Sequence, residues 1–314
     1  VNIAYGETKL VFGRDYIIPK PFDPRLISVV APAVAKAAMD SGVAANPIQD
    51  WDKYREELME RLGSDNKMVR LLANRAKTDP KRVVFAEADH LDVLKAAQIV
   101  LEEKIGTPIL LGNREIIQEL KEELGFDADV LIIDPKTPEE DERRLRYANS
   151  FWEARRRKGT SLLDAQKWMR ERNYFAAMMV NEGEADALVS GYSRSYPSVV
   201  KPMMQLIDKA PGVSKIATTN MMMTKRGPIF LSDTAINPNP TADELAKIAL
   251  MTAKTVRMFG MEPVIAMVSF SNFGSSNDEG ARKVAEAVAY LHKYYPDLVV
   301  DGEIQADFAL NSEM

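Results

Sequence analysis

The chain has 314 residues, 46% hydrophobic and 28% charged, which is enough for about two globular domains. Its 41 basic and 46 acidic residues leave a net charge of −5, which excludes a general nucleic-acid binder, and no signal peptide or apolar run of ~18 residues marks a membrane protein. With no Cys and only His90 and His292, disulfides, thiol nucleophiles and His-rich metal sites are excluded, a composition that suits the cytoplasm.

The first residue is Val1 rather than Met, so the chain is expected to be a processed product or a piece of something longer. Residues 1–25 carry Pro19, Pro21 and Pro24, which break helix and sheet alike and predict an ordered strap or the tail of another domain. A helix is predicted over 25–41, on the face made by Leu26, Val29, Val30, Ala33, Val34, Ala37 and Ala38, and stopped by Gly42. Residues 43–50 read as a linker, and Asp50 or Asp52 caps a helix running to Leu62, ended by Gly63.

Regular alternation of helix and strand begins near Asn66. Strands are predicted at 82–86, 108–111, 130–133 and 187–189, and helices at 66–77, 91–104, 115–124, 139–158, 162–170, 174–181 and 198–208. Apolar strands separated by helices imply a mostly parallel sheet covered on both faces. A second lobe is predicted after Lys209-Ala210-Pro211-Gly212. It holds strands near 215–223 and 228–232, a helix at 242–259, a strand at 264–268, a helix at 281–292 and a last strand at 298–300. Thr241 with Glu244 is a capping box for the long helix. The methionines at 203–204 and 221–223 are expected in the core.

Ligands of open α/β sheets bind where strands end. Four such ends are polar here. Glu87-Ala88-Asp89-His90 offers acids for base, acid or ribose roles, or for capping the next helix. Ser190-Gly191-Tyr192-Ser193-Arg194-Ser195 suits an anion on exposed backbone N–H groups, without the spacing of a Walker loop. In Ser232-Asp233-Thr234, Asp233 precedes the turn and is freer to act than the capping residues. Ser269-Phe270-Ser271-Asn272-Phe273-Gly274-Ser275-Ser276 could bind phosphate or a pantetheine-like chain, or be a plain loop. The run Arg155-Arg156-Arg157-Lys158 either grips a phosphate or complements a helix C-terminus.

Taken together these segments resemble the phosphate acetyltransferase (phosphotransacetylase) family from about Arg82 onward. The likeness rests on four blocks in the same order. They are Phe151-Trp152-Glu153-Ala154-Arg155-Arg156-Arg157-Lys158-Gly159, Met179-Val180-Asn181-Glu182-Gly183-Glu184-Ala185-Asp186-Ala187-Leu188-Val189-Ser190-Gly191, Asp233-Thr234-Ala235-Ile236-Asn237-Pro238-Asn239-Pro240-Thr241, and Val300-Asp301-Gly302-Glu303-Ile304-Gln305-Ala306-Asp307. The start, Tyr16-Ile17-Ile18-Pro19-Lys20-Pro21-Phe22-Asp23-Pro24-Arg25-Leu26 with Ala31-Pro32-Ala33-Val34-Ala35-Lys36-Ala37-Ala38-Met39-Asp40-Ser41-Gly42-Val43-Ala44, resembles the end of the catalytic part of large bacterial NADP-dependent malic enzymes. In those proteins a phosphotransacetylase-like domain is fused downstream.

The resemblance implies an α/β fold of two lobes, each a mostly parallel sheet with helices on both faces, like phosphotransacetylase and isocitrate dehydrogenase, with a cleft between them. It implies a malic-enzyme tail at 1–46, a linker helix at 47–65, and lobes at 66–211 and 212–314, the second incomplete. Arg155 faces the phosphate side of that cleft. Ser190, Gly191, Ser193, Arg194 and Ser195 line it, Lys201 replaces an Arg of the substrate pocket, and Ser271, Asn272, Gly274 and Ser275 lie on the CoA side. The transferases carry a catalytic Asp and a Ser-Arg pair beyond the block that holds Asp301-Gly302-Glu303, and these are not found before Met314. Three readings follow: a regulatory and homo-oligomerising domain that binds acetyl-CoA, an active phosphate acetyltransferase, or a structural module without ligand. No cofactor or metal is expected in this chain. NADP and a divalent Mg or Mn belong to the malic enzyme part.

Overall fold

The computed structural model describes residues 25–60, 65–224 and 227–311. The Pro-rich stretch 16–24 and the end of the helix at Leu62 and Gly63 lie outside these residues. The described chain divides into two compact units. Of the described residues, the smaller takes those up to 72 together with those of 219–234, and the larger takes 73–218 and those from 235 on.

In the smaller unit, α1 (Arg25–Asp40) appears where its apolar face placed it, and α2 (Trp51–Glu60) where its capping Asp placed its start. Asp50 starts α2, its carboxylate accepting the N–H groups of Asp52 and Lys53 at 3.0 Å each. Helix α3 (Asp65–Thr78) follows. The strands β5 (Thr219–Thr224) and β6 (Gly227–Ser232) pair only with each other, as an antiparallel hairpin. The expected core position of the methionines does not hold: Met222 and Met204 are each 50% exposed, because a two-stranded hairpin and an outer helix face supply no second layer to cover them.

The first sheet of the larger unit contains β1 (Lys81–Phe85), β2 (Gly106–Leu111), β3 (Ile132–Ile133) and β4 (Ala187–Val189). All pairings are parallel, in the order β3-β2-β1-β4. Side chains alternate across a strand. Val84, Ile109, Leu111 and Ile133 therefore point to one buried cluster, with α6 (Asp141–Arg155), α7 (Leu162–Trp168) and α8 (Arg172–Asn181). Phe85, Leu110 and Ile132 point to the other, with α4 (Leu91–Glu102) and α5 (Arg114–Leu124). Two buried faces explain why these strands read as unbroken apolar runs. Three aromatic rings tie α6, α7 and α8 together: Trp168 stacks on Tyr174 with centroids 5.2 Å apart, and Phe151 meets both edge-on. Helix α9 (Tyr196–Leu206) joins them, Gln205 accepting the Tyr174 hydroxyl at 2.8 Å.

The second sheet pairs β7 (Val264–Val268) with β8 (Val299–Ile304) in parallel. Met267 and Val300 face α10 (Ala242–Met258) and α11 (Glu279–Tyr294), where Ala246, Ala249, Ala253 and Ala287 bury small side chains between the helices. The capping box is present: Thr241 Oγ accepts the Glu244 N–H at 3.3 Å, and Glu244 accepts the Thr241 N–H at 3.0 Å. Thr241→Ala leaves that first-turn N–H without its partner and is expected to lower stability by about 1 kcal/mol in urea denaturation.

Candidate functional site: two loops clamped by buried glutamates

Strands β1, β2 and β3 progress outward in one direction, whereas β4 lies on the other side of β1. The order reverses between β1 and β4, and ligands of such sheets bind at this reversal, beyond the carboxyl ends. Two segments meet there: 87–90 after β1 and 190–195 after β4.

They meet on a single side chain. Glu87 is 1% exposed and sits at the end of β1. Its Oε1 accepts the N–H groups of Gly191 at 2.7 Å and Tyr192 at 3.0 Å, and its Oε2 accepts the Ser193 N–H at 2.8 Å and the Ser193 hydroxyl. Gly191, at φ 108, takes a backbone conformation that side-chain-bearing residues rarely adopt, so successive N–H groups converge on one carboxylate. Burial pushes the Glu87 carboxyl up, but the hydrogen bonds from the loop outweigh it and hold its pKa at about 2. The segment thus makes a nest for a carboxylate. Its N–H groups are taken by an internal carboxylate, however, so they do not stand exposed for a ligand.

The same device recurs on the second sheet. Glu303, 2% exposed on β8, accepts the Gly274 N–H and, at 3.3 Å, the Ser271 hydroxyl. Those hydrogen bonds, led by Gly274, lower its pKa. Gln305 completes the lock. Its N–H donates to Asn272 Oδ1 at 2.8 Å, its Oε1 accepts from Asn272 Nδ2 at 2.8 Å, and its Nε2 donates to the Phe270 carbonyl at 2.7 Å. Ser271 is 1% exposed, and its hydroxyl also meets Ser275 Oγ at 2.9 Å and the Ser276 N–H at 3.1 Å. The polar residues of this loop hold the loop itself. What it turns outward is Phe270 and Phe273, each 60% exposed.

Ser195 starts α9 and its carbonyl accepts the Ser198 hydroxyl at 2.7 Å, while Arg194 and Lys201 are exposed. Asp233 follows β6 in the smaller unit, partly buried. Arg155 closes α6 and makes no side-chain hydrogen bond or ion pair among the described residues; its Nε is buried without a partner. Its charge reaches Tyr174, whose hydroxyl burial and Glu171 push up while Arg155 pulls it down. Arg156 packs over Trp152 instead, 5.3 Å from the ring centroid.

Asn173, which the sequence did not single out, and Asp89 also stand near the sheet ends. Asn173, 1% exposed, accepts the Ser190 hydroxyl at 2.7 Å, and its Nδ2 is buried without a partner. Asp89 caps no helix; it forms a two-point ion pair with Arg172, at 2.7 and 2.9 Å. Burial pushes the Asp89 carboxyl up, but Arg172 more than offsets it, and its pKa lies below the usual value. Among the described residues no group of His, Asp and Glu is arranged to hold a metal ion, and no helix is long and apolar enough to cross a membrane.

A parallel α/β sheet whose strand order reverses at a Ser-Gly loop belongs to the architectures that bind ligands beyond the carboxyl ends of their strands. Residues 67–314 match the family described as phosphate acetyl/butaryl transferase, and the chain belongs to that family. The fold agrees: the chain superposes on the crystal structure of a phosphotransacetylase from Streptococcus pyogenes with a TM-score of 0.72 and 35% identity, over 79% of this chain and 75% of that one. A phosphate acetyltransferase of Clostridium acetobutylicum is 38% identical over 76% of this chain and 73% of its own length. An NADP-dependent malic enzyme of Salmonella typhimurium is 41% identical over 99% of this chain. The chain spans 41% of the length of that malic enzyme.

Proposed function

We propose that this chain is the phosphotransacetylase-like part of a cytoplasmic NADP-dependent malic enzyme, which converts malate to pyruvate and CO2. In this reading it regulates the upstream enzyme, helps assemble homo-oligomers and binds acetyl-CoA. Segments 1–46 and 47–65 lead from the malic enzyme to the lobes 66–211 and 212–314. NADP and Mg or Mn act upstream. The observation that carries the reading is the reach of the malic enzyme similarity: 99% of this chain, against 76% for the acetyltransferase.

The ligand is argued from unmet polar groups. Arg155 Nε and Asn173 Nδ2 are buried without hydrogen-bond partners, and leaving such groups unmet is costly. An acetyl-CoA carbonyl or phosphate gives them acceptors. Titration calorimetry is expected to detect acetyl-CoA binding, weakened roughly tenfold by Arg155→Ala. An unchanged affinity removes Arg155 from the site. For regulation, acetyl-CoA must bind two states of the malic enzyme with different affinity. Malate-dependent NADPH formation by the full-length protein, followed at rising acetyl-CoA, is expected to change, and a flat response overturns regulation.

Arg155 also favours the alternative reading, an active phosphate acetyltransferase, since an unpaired guanidinium can offset charge that develops when a thiolate attacks acetyl phosphate. Acetyl-CoA formation from acetyl phosphate and CoA, lost in Arg155→Ala, favours that reading over the regulatory one.

A further inference from the structure

The carboxyl edge of the first sheet holds another concavity, away from β4. A small pocket of about 50 Å³ lies beyond the ends of β2 and β3, lined by Gly112, Asn113, Asp134, Lys136, Arg170 and Arg172. Each wall has a definite electrostatic state. Arg172 is fixed and neutralised by Asp89. Asp134 accepts the Lys136 N–H at 3.0 Å and so shapes the turn after β3. Asn113 caps α5 through its side chain, so the helix end is closed. Lys136 and Arg170 have no carboxylate partner among the described residues.

Beside the turn, Arg144 is 6% exposed and donates to the carbonyls of Pro135 and Thr137 at 2.5 and 2.7 Å. It is paired with Asp141, while the neighbouring Glu140 is taken by Arg143. Burial lowers the Arg144 pKa, and the nearby charge of Arg170 lowers it further. Around this turn the cations Lys136, Arg144, Arg170 and Arg172 lie among the carboxylates Asp89, Asp134, Glu140, Asp141 and Glu171, and of these cations Lys136 and Arg170 are the two without a carboxylate partner among the described residues. The guanidinium groups of Arg144 and Arg170 repel each other, and the exposed Arg170 makes no ion pair among the described residues.

We propose that this pocket binds a small oxyanion of the phosphate class, held by Arg170 and Lys136 against the wall that Arg172 forms. A planar guanidinium matches an oxyanion edge, an ammonium adds a movable donor, and the anion relieves the repulsion between Arg170 and Arg144. The site stands independently of the acetyl-CoA reading, because neither Arg155 nor Asn173 lines it.

The test is titration with inorganic phosphate, followed by amide NMR shifts, on the wild type and on Arg155→Ala. The second protein removes any phosphate bound through Arg155. Saturable shifts of the Gly112, Asn113, Asp134 and Lys136 resonances are expected in both proteins. The double variant Arg170→Gln, Lys136→Gln, whose changed side chains are exposed and whose fold is checked by the same spectra, is expected to weaken the binding at least roughly tenfold. Competition by a phosphate monoester more strongly than by sulfate marks esterified phosphate as the source, and equal competition marks a free oxyanion. Non-saturable shifts, or an affinity unchanged in the double variant, overturn the site.

Discussion

Glu87→Gln is expected to destabilise the protein nearly as much as Glu87→Ala, by about 2–4 kcal/mol in urea denaturation. The substitution is usually read as mild, since it keeps shape and removes only charge. Here both carboxylate oxygens are acceptors, Oε1 for Gly191 and Tyr192 and Oε2 for Ser193. Whichever way the glutamine amide turns, its NH2 group faces a donor. One side of the clamp then opens, and the loop 190–193 loses its fixed form. The pH dependence follows from the same geometry. The carboxyl titrates at about 2 when folded against 4.5 ordinarily. Its contribution is therefore present in full above about pH 4.5 and is lost as pH falls toward 2, where the unfolded chain binds the proton more readily. Wild type is expected to lose roughly 2–3 kcal/mol across that window, somewhat less than the full shift implies because water reaches the loop. The glutamine variant lacks this titration, so the stability gap between the two proteins narrows on acidification. A gap that stays constant from pH 5 to pH 2 rules out the clamp as the cause.

Much of the larger unit was legible in the sequence because its signals are local. Caps and stops mark the helix ends: Asn113 opens α5 and Gly125, at φ 63, closes it, as Thr241 opens α10. The strands show as apolar runs because helices cover both faces of the first sheet. The order of family blocks placed the fold, and the structural match supports that placement. What escaped is pairwise and distant. Nothing near Glu87 announces that its partners lie a hundred residues on, and an acid at a strand end suits a cap equally well. Asp89 and Arg172 meet across a comparable separation. Ser271, Asn272, Gly274 and Ser275 read as ligand groups because hydroxyls and amides after a strand look alike whether they face solvent or each other. Only the packing shows that their capacity is spent on Glu303 and Gln305. Arg170 and Lys136 became visible as a pair only once the sheet brought the turn after β3 beside the start of α8.

Gly302→Ala tests the second clamp through the backbone rather than the carboxylate, and its expected cost is larger, about 3–5 kcal/mol. Gly302 has φ 139, a region open to glycine and strained for any other residue. The added Cβ would also stand 2.5 Å from the Met267 carbonyl oxygen and 3.1 Å from the Met267 Cβ. Both contacts belong to the neighbouring strand, since Met267 pairs with Gly302 in the β7–β8 ladder. A carbonyl in a ladder has little room to give, so the strands must part or β8 must turn. Either change moves Glu303, the next residue, off Gly274 and Ser271, and with it the loop that Gln305 also holds. Strain and lost loop contacts therefore add, where Glu303→Ala would remove the contacts alone. The expected signature is a large fall in stability together with new proteolytic cleavage within 269–276, while the first sheet keeps its amide exchange protection. A Gly302→Ala protein of wild-type stability would mean that β7 and β8 can separate freely at Met267, and the loop after β7 would then not depend on the close approach of the two strands.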